Sequence, residues 1–518
     1  MNEFVKAVNT QLNRKVTENG QAAYASTDFS KLLDFFAVAG ALRTRDEHDI
    51  TTKMAEAFAE DSFLATKLLF FLSDIREGLG ERRTFRVALE WLAKRFPEVV
   101  EMNLANIPHF NRWDSLFVLR GTPCEKAMVA FVKKQLRQDT QDARMDKPIS
   151  LLAKWMPSIN TSSAETCELA RWFAAQMHLT AREYRHILAY LRDKLRVVEV
   201  IMSNQSWDEV KYDVVPSRAM LIYRRAFGRH DGERFGEFLT DVKSGKKTIK
   251  AGTLFPYDIV EKLMHGEEND VLEEQWKALP NYIEGDNNIL VMADVSGSMS
   301  GRPIATSVGL ALYFAERNQG AYHNLFMTFS RNPRFVKVRG NSLVDKIRNA
   351  VQADWGMNTD LNRAFDKILS VAVENHVPVD QLPKALIVIS DMEIDAAQCG
   401  NWDFLTLQKN KFARYGYALP NIIFWNVQSR QDTFLVDGNR PGVQLASGQS
   451  ASTFKHILNG IDMTPFTAMI ECLTSERYER VVVPDGWNNA FATKMKNTGS
   501  SLAENRAIRK ATIDRLFQ

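Results

Sequence analysis

Two runs narrow the possible folds most: Ile289-Leu290-Val291-Met292-Ala293 and Ala385-Leu386-Ile387-Val388-Ile389. Each is apolar at every position and each gives way at once to a polar, acid-bearing turn. Short continuous apolar runs of this kind suit strands covered on both faces, as in the sheet of an α/β fold, whereas a half-solvated strand alternates. After the first run, Asp294, Ser296 and Ser298 occupy alternate positions in a Gly-containing turn that leads into a helical pattern. A carboxylate with two hydroxyls is a set of hard oxygen donors, suited to Mg²⁺ rather than to a soft metal. Open α/β sheets also gather their ligands at the carboxyl ends of strands.

Two further segments complete the set. In Trp355-Gly356-Met357-Asn358-Thr359-Asp360-Leu361 the Thr359 hydroxyl stands at the start of a helix carried on by Phe365 and Leu369, and Asp391 closes the second apolar run. Asp-x-Ser-x-Ser, a Thr about sixty residues later and a strand-terminal Asp about thirty further on form the pattern of a metal-ion-dependent adhesion site. On these residues the stretch 286–485 resembles a von Willebrand factor A domain, with all five ligand positions filled. The plain alternative is an ordinary polar turn with Asp391 capping a helix. The resemblance implies a Mg²⁺ or Mn²⁺ site. Ser296, Ser298 and Thr359 would bind directly and Asp294 and Asp391 partly through water, leaving one octahedral position for an acidic group from a partner protein. Nothing in this set supplies a general base, a nucleophile or a second metal.

Around the two runs, elements alternate as a parallel sheet requires. A helix is expected over 304–318, strands over 325–329 and 335–338, a helix over 343–351, a helix over 404–415, strands over 421–427 and 442–448, and a helix from 454, for about six strands in all. The remainder, 486–518, reads as a basic, polar tail with a weak helical pattern from Leu502.

The chain of 518 residues exceeds one ordinary core, so two or more domains are expected. Four scattered cysteines without metal spacing, no apolar leader after Met1 and no run of membrane-spanning length predict a cytoplasmic protein with reduced thiols and no membrane contact. Residues 1–285 read almost wholly as helix, with three- and four-residue apolar spacing over 29–41, 50–59, 62–73, 84–96, 124–136, 163–176 and 182–195. Successive helices with short breaks stack as a solenoid or pack as a bundle, and periodicity does not choose. Over 101–250 there are 25 Lys and Arg against 18 Asp and Glu, an excess of +7 that suits a phosphate-rich partner.

Within the helical half, Ser73 to Arg82 places two glycines in a turn flanked by Arg76, Arg82 and Arg83, and Arg112-Trp113-Asp114 reads as a helical unit after Pro108. Lys154-Trp155-Met156-Pro157, Tyr184-Arg185-His186 and Val215-Pro216-Ser217-Arg218 follow. In order and spacing these words resemble the helical-repeat (TROVE) domain of Ro-type proteins, in which a HEAT-like array able to close into a ring precedes an A domain. The whole chain is thus expected to be α plus α/β: a helical-repeat domain over 1–285, an A domain over 286–485 and a tail over 486–518. The resemblance implies binding of small Y-type non-coding RNAs and single-stranded RNA ends, and association with a 3′ to 5′ exoribonuclease or RNA repair proteins.

The residues that would hold RNA are cations on one helix, Arg182, Arg185, His186 and Arg192. The first three lie at i, i+3 and i+4 and share a face. Lys154 beside Trp155, and Lys243, Lys246 and Lys247 in a Gly-containing loop, are further candidates, each with a solvated surface as the bland reading. The expectation is a non-catalytic ribonucleoprotein scaffold. Its alternatives are a metal-dependent protein-docking module without RNA and a metal-dependent RNA nuclease.

Overall fold

A computed structural model describes residues 13–27, 30–267, 269–283, 288–329, 332–352, 360–394, 404–436, 438–459 and 462–487. It is mostly helical, with a six-stranded, mostly parallel sheet in the carboxyl-terminal part. The described residues fall into two compact units. One is drawn from Met1–Thr84, Gly252–Glu479 and Gly486–Gln518, the other from Phe85–Ala251 and Arg480–Asp485. In this grouping the described residues up to Thr84 go with the sheet, and Arg480–Asp485 go with the helices.

In the first unit the sheet strands are β3 (Ile289–Ala293), β4 (Leu325–Thr328), β5 (Phe335–Lys337), β6 (Ala385–Ser390), β7 (Asn421–Asn426) and β8 (Val443–Ser447), in the order β5-β4-β3-β6-β7-β8. All neighbours are parallel except the β4–β5 edge pair. β3 and β6 are buried at every position, as their unbroken apolar runs demand. The chain leaves β3 for β4 on one side and returns to β6 on the other, so the β3–β6 seam is the switch point at which such sheets open a crevice. The helix Arg302–Arg317 is buried on nearly all sides. Gly309 faces the backbone of Pro256, where a Cβ would stand 3.2 Å from its carbonyl carbon. Arg317 lies over the rings of both Trp276 and Tyr313 and donates to the Trp276 carbonyl, so Pro256 and Trp276 are keyed to this helix.

The amino-terminal part of this unit departs from the all-helical expectation. β1 (Arg14–Val16) and β2 (Ala22–Tyr24) form an antiparallel hairpin, and Tyr24 pairs with Phe434. Three helices follow, Lys31–Val38, Glu47–Glu60 and Ser62–Ser73, capped by the Ser30, Asp46 and Asp61 side chains. Gly40, after the first helix, lies against the end of β8. A Cβ there would stand 2.7 Å from the Gly448 Cα, and the Gly40 N–H donates to Ser447 Oγ at 3.0 Å. The turn after Ser73 is built on Asp74, whose carbonyl accepts from Gly78 and Gly80 and whose carboxylate holds Arg477 and the Tyr478 hydroxyl. Gly78 is obligatory, because a Cβ would meet the Phe71 carbonyl oxygen at 2.1 Å.

The second unit is helical. Glu125–Arg144, Ala164–Gln176, Ala181–Lys194, Ser217–His230 and Gly232–Lys243 are its longer helices. The expected helical Arg-Trp-Asp unit is broken: the helix Asn106–Phe110 ends before Asn111, and a 3₁₀ turn covers Trp113–Leu119. Arg112 pairs with Asp114, which also holds Arg86, and lies 3.7 Å over the Trp155 ring, an internal fixing contact. Asn103 and Asn106 hold the Val482 and Arg480 carbonyls. The expected tail lies outside the described residues apart from 486 and 487. No described helix is long and apolar enough to cross a membrane.

Candidate metal centre and nucleic-acid face

The register carries the acids to the seam. Ala293 is level with Ile389, so Asp294, just after β3, and Ser390-Asp391, at and just after the end of β6, emerge side by side at the carboxyl ends of adjacent parallel strands. Both carboxylates are buried. One Asp294 oxygen accepts the Ser296 N–H at 2.8 Å and the other the Ser390 hydroxyl at 2.7 Å, which fixes the plane of the carboxylate. Burial pushes the Asp294 carboxyl up to about 6, with the Asp391 charge adding to the rise and the Ser390 and Ser296 hydrogen bonds opposing it.

The hydroxyls of Ser296 and Ser298, both half-buried, are 3.0 Å apart. Adjacent ligands of an octahedral ion with bonds of about 2.1 Å stand about 3 Å apart, so this spacing fits one Mg²⁺ as well as it fits a hydroxyl pair. The donor set fits too: two buried carboxylates and two hydroxyls, all hard oxygens. Thr359, the fifth expected ligand, lies outside the described residues. Asp360 beside it caps the helix Leu361–Glu374 by accepting from the Arg363 N–H. Among the described residues no three His, Cys, Asp or Glu side chains cluster as a metal site of that kind. The candidate here has two acids and otherwise hydroxyls.

Sequence reading missed the rest of the rim. Asp391 accepts from the Glu393 N–H at 3.2 Å and from the Arg430 guanidinium at 2.9 Å. The same guanidinium nitrogen lies 3.0 Å from Glu18, on the turn of the β1–β2 hairpin. Glu393 accepts the Glu18 N–H at 2.6 Å, and burial followed by the Glu18 and Asp391 charges raises its carboxyl above the usual range. Thr17 and Asn19 donate to the Ile394 and Glu393 carbonyls, so the hairpin turn is fastened along the segment that follows β6. These partners come from residues 18, 390, 393 and 430 of the chain, and nothing local in the sequence marks them.

The second unit brings only part of the expected cation set to its surface. Arg182, Arg185 and His186 are exposed on the helix Ala181–Lys194, whose start carries a Thr180–Glu183 capping box. Tyr190, exposed by 38%, lies one turn beyond His186, an aromatic that the sequence reading passed over. Arg192 is a correction to the expected set. Its guanidinium donates to the Ala153 and Met156 carbonyls and to Ser158 Oγ at 2.7–2.9 Å, and burial lowers its pKa, so its donors are consumed inside the fold. Lys154 is half-buried, 3.7 Å from Glu199 and 5.7 Å from the Trp155 ring centre. Lys243, Lys246 and Lys247 are exposed at and after the end of Gly232–Lys243, with Lys247 paired to Asp241 at 3.1 Å.

Over residues 17–112 and 127–288 the chain matches the family model described as Domain of unknown function (DUF2828), and over 288–486 the one described as Domain of unknown function (DUF7788). It is also similar to Uncharacterized protein L728 of Acanthamoeba polyphaga mimivirus, 26% identical over 502 residues that span 89% of this chain and 87% of that protein. The junction of the two models at residue 288 falls at the start of β3, and the stretch aligned with the viral relative extends across it.

Proposed function

We propose that this is a non-catalytic docking and RNA-binding protein. Its sheet would be a von Willebrand factor A-type domain that binds an acidic group of a partner protein through Mg²⁺ or Mn²⁺, and its helices a HEAT-like array that binds structured or single-stranded RNA. One arrangement carries the metal half of the reading. Asp294 and Asp391 end adjacent parallel strands at the switch point, with the Ser296 and Ser298 hydroxyls 3.0 Å apart beside them. Asp294, Ser296, Ser298 and Asp391 would hold the ion, with Thr359 as the remaining ligand. The ion would supply a positively charged coordination position for a carboxylate. The chain's own part is to exclude water around two buried acids and to fix the Asp294 plane through Ser390.

Asp294→Ala in the full chain is expected to abolish Mn²⁺ binding by calorimetry while leaving RNA affinity nearly unchanged. Loss of both with the fold intact would overturn the site assignment. What supports the RNA half is the Arg182, Arg185, His186 and Tyr190 face, where cations for phosphate stand beside a plane on which a base can stack. Sequencing of nucleic acid that copurifies from the native host tests it. A preparation free of nucleic acid that also ignores hairpin RNA at low salt would leave the docking reading alone. Labelled RNA shortened in the presence of Mg²⁺ would replace the non-catalytic reading with a nuclease.

A further inference from the structure

We propose that Arg430 is a built-in counter-cation of the metal cradle, displaced from Asp391 when a divalent ion binds, and that this exchange couples metal loading to the amino-terminal hairpin. The inference rests on the metal reading above and adds to it a residue, a competitor and a coupled element. Arg430 sits in the loop after β7 and brings one guanidinium nitrogen to 2.9 Å from Asp391 and 3.0 Å from Glu18. Asp391 is buried, so its charge is strongly felt by any cation that reaches it, and a guanidinium and a divalent ion cannot both neutralise the same oxygen without repelling each other.

The seat that Arg430 occupies is incomplete. Among the described residues its buried Nε has no hydrogen-bond partner, so the guanidinium is held at one end and unsatisfied there at the other. Its two carboxylate partners also differ: Asp391 is buried at a strand end, whereas Glu18 is exposed on a hairpin turn. Exchange therefore has a direction. The divalent ion takes the buried acid, and the guanidinium is left with Glu18 or with water. The hairpin feels this because the Glu18 N–H, Thr17 and Asn19 are fastened to Glu393 and Ile394, directly after Asp391, and Gln431 beside Arg430 reaches Glu18 at 3.1 Å. By reciprocity, whatever Arg430 takes from metal affinity, the metal takes from the Arg430 hold on the hairpin.

The test uses the full chain and Mn²⁺ alone. Arg430→Gln is expected to bind Mn²⁺ about 10-fold or more tighter than the wild type, because the competing internal state is removed. Hydrogen exchange over residues 14–24 is expected to rise when Mn²⁺ is added to the wild type and to be insensitive to Mn²⁺ in the variant. If Arg430→Gln fails to melt cooperatively, Arg430→Met, of similar reach and without charge, carries the same comparison. Equal Mn²⁺ affinity in the variant and wild type, or wild-type hairpin exchange indifferent to Mn²⁺, overturns the inference while the metal site stands. Failure of every form to bind Mn²⁺ removes the metal reading and this inference with it.

Discussion

Single residues carry several of the sharpest constraints. Asp61 caps the helix Ser62–Ser73 by accepting the Leu64 N–H at 2.8 Å, and burial pushes its carboxyl up to about 6 from an ordinary 3.8, with the Glu60 charge adding to the rise. The neutral form is therefore the one the fold favours. Below about pH 4 the group imposes no penalty, and as pH rises from 4 through 6 the folded state loses up to about 3 kcal/mol relative to an unshifted acid. Asp61→Asn, which keeps a capping oxygen, should raise the melting temperature at pH 7 and change it little at pH 4. At pH 4, where that penalty is absent, Asp61→Ala should lose the cap, at a cost of about 1 kcal/mol. At Gly40 the constraint is contact: a Cβ would stand 2.7 Å from both the Gly448 Cα and the Ser447 carbonyl oxygen, backbone atoms that have no rotamer to yield. Gly40→Ala should cost on the order of 1–3 kcal/mol in chemical denaturation, and a variant as stable as the wild type would mean that the helix and β8 part easily.

At the scale of elements, one helix carries two kinds of arginine. Along Ala181–Lys194, Arg182 and Arg185 point to solvent while Arg192 turns inward onto three acceptors from residues 153–158. Arg192→Ala should destabilise the fold by about 2–4 kcal/mol, since it orphans partly buried carbonyls that were bonded to a charge. Arg182→Ala with Arg185→Ala should leave stability within about 0.5 kcal/mol and lower the slope of log affinity against log salt by about 1.4 for single-stranded RNA. Unchanged RNA binding in the double variant would move the RNA to another surface. The amphipathic spacing that announced this helix could not distinguish its two kinds of arginine, because both are polar positions in the pattern. Only the path of residues 153–158 past the last turn makes one of them interior.

For the molecule as a whole, the unit that holds the sheet is assembled from distant stretches, with the Lys31–Val38 helix against β8 and Arg477 and Tyr478 tied to Asp74. A fragment beginning at residue 286 would expose the β8 side of the sheet and the apolar faces of helices that normally meet 22–79. It is expected to lack the near-ultraviolet dichroism of a packed core, whereas the full chain has it. A well-folded fragment would show that the amino-terminal segment decorates the sheet without completing it.

Strand and helix positions in 286–485 were legible in advance because unbroken apolar runs and three-to-four spacing are local consequences of being buried on two faces or on one. The strands at 289–293, 385–390, 421–426 and 443–447 fall where those runs lie. That Asp294 and Asp391 stand at strand ends was legible for the same reason, since a polar residue closing such a run must stand at a strand end. The tertiary structure alone decided that the described residues up to Thr84 close on the sheet, that Arg430 meets both Asp391 and Glu18, and that Arg192 is spent inside the fold. Each of these is a contact between residues tens to hundreds of positions apart. Its energy depends on where the backbone travels in space, and no pattern within a window of sequence contains that information.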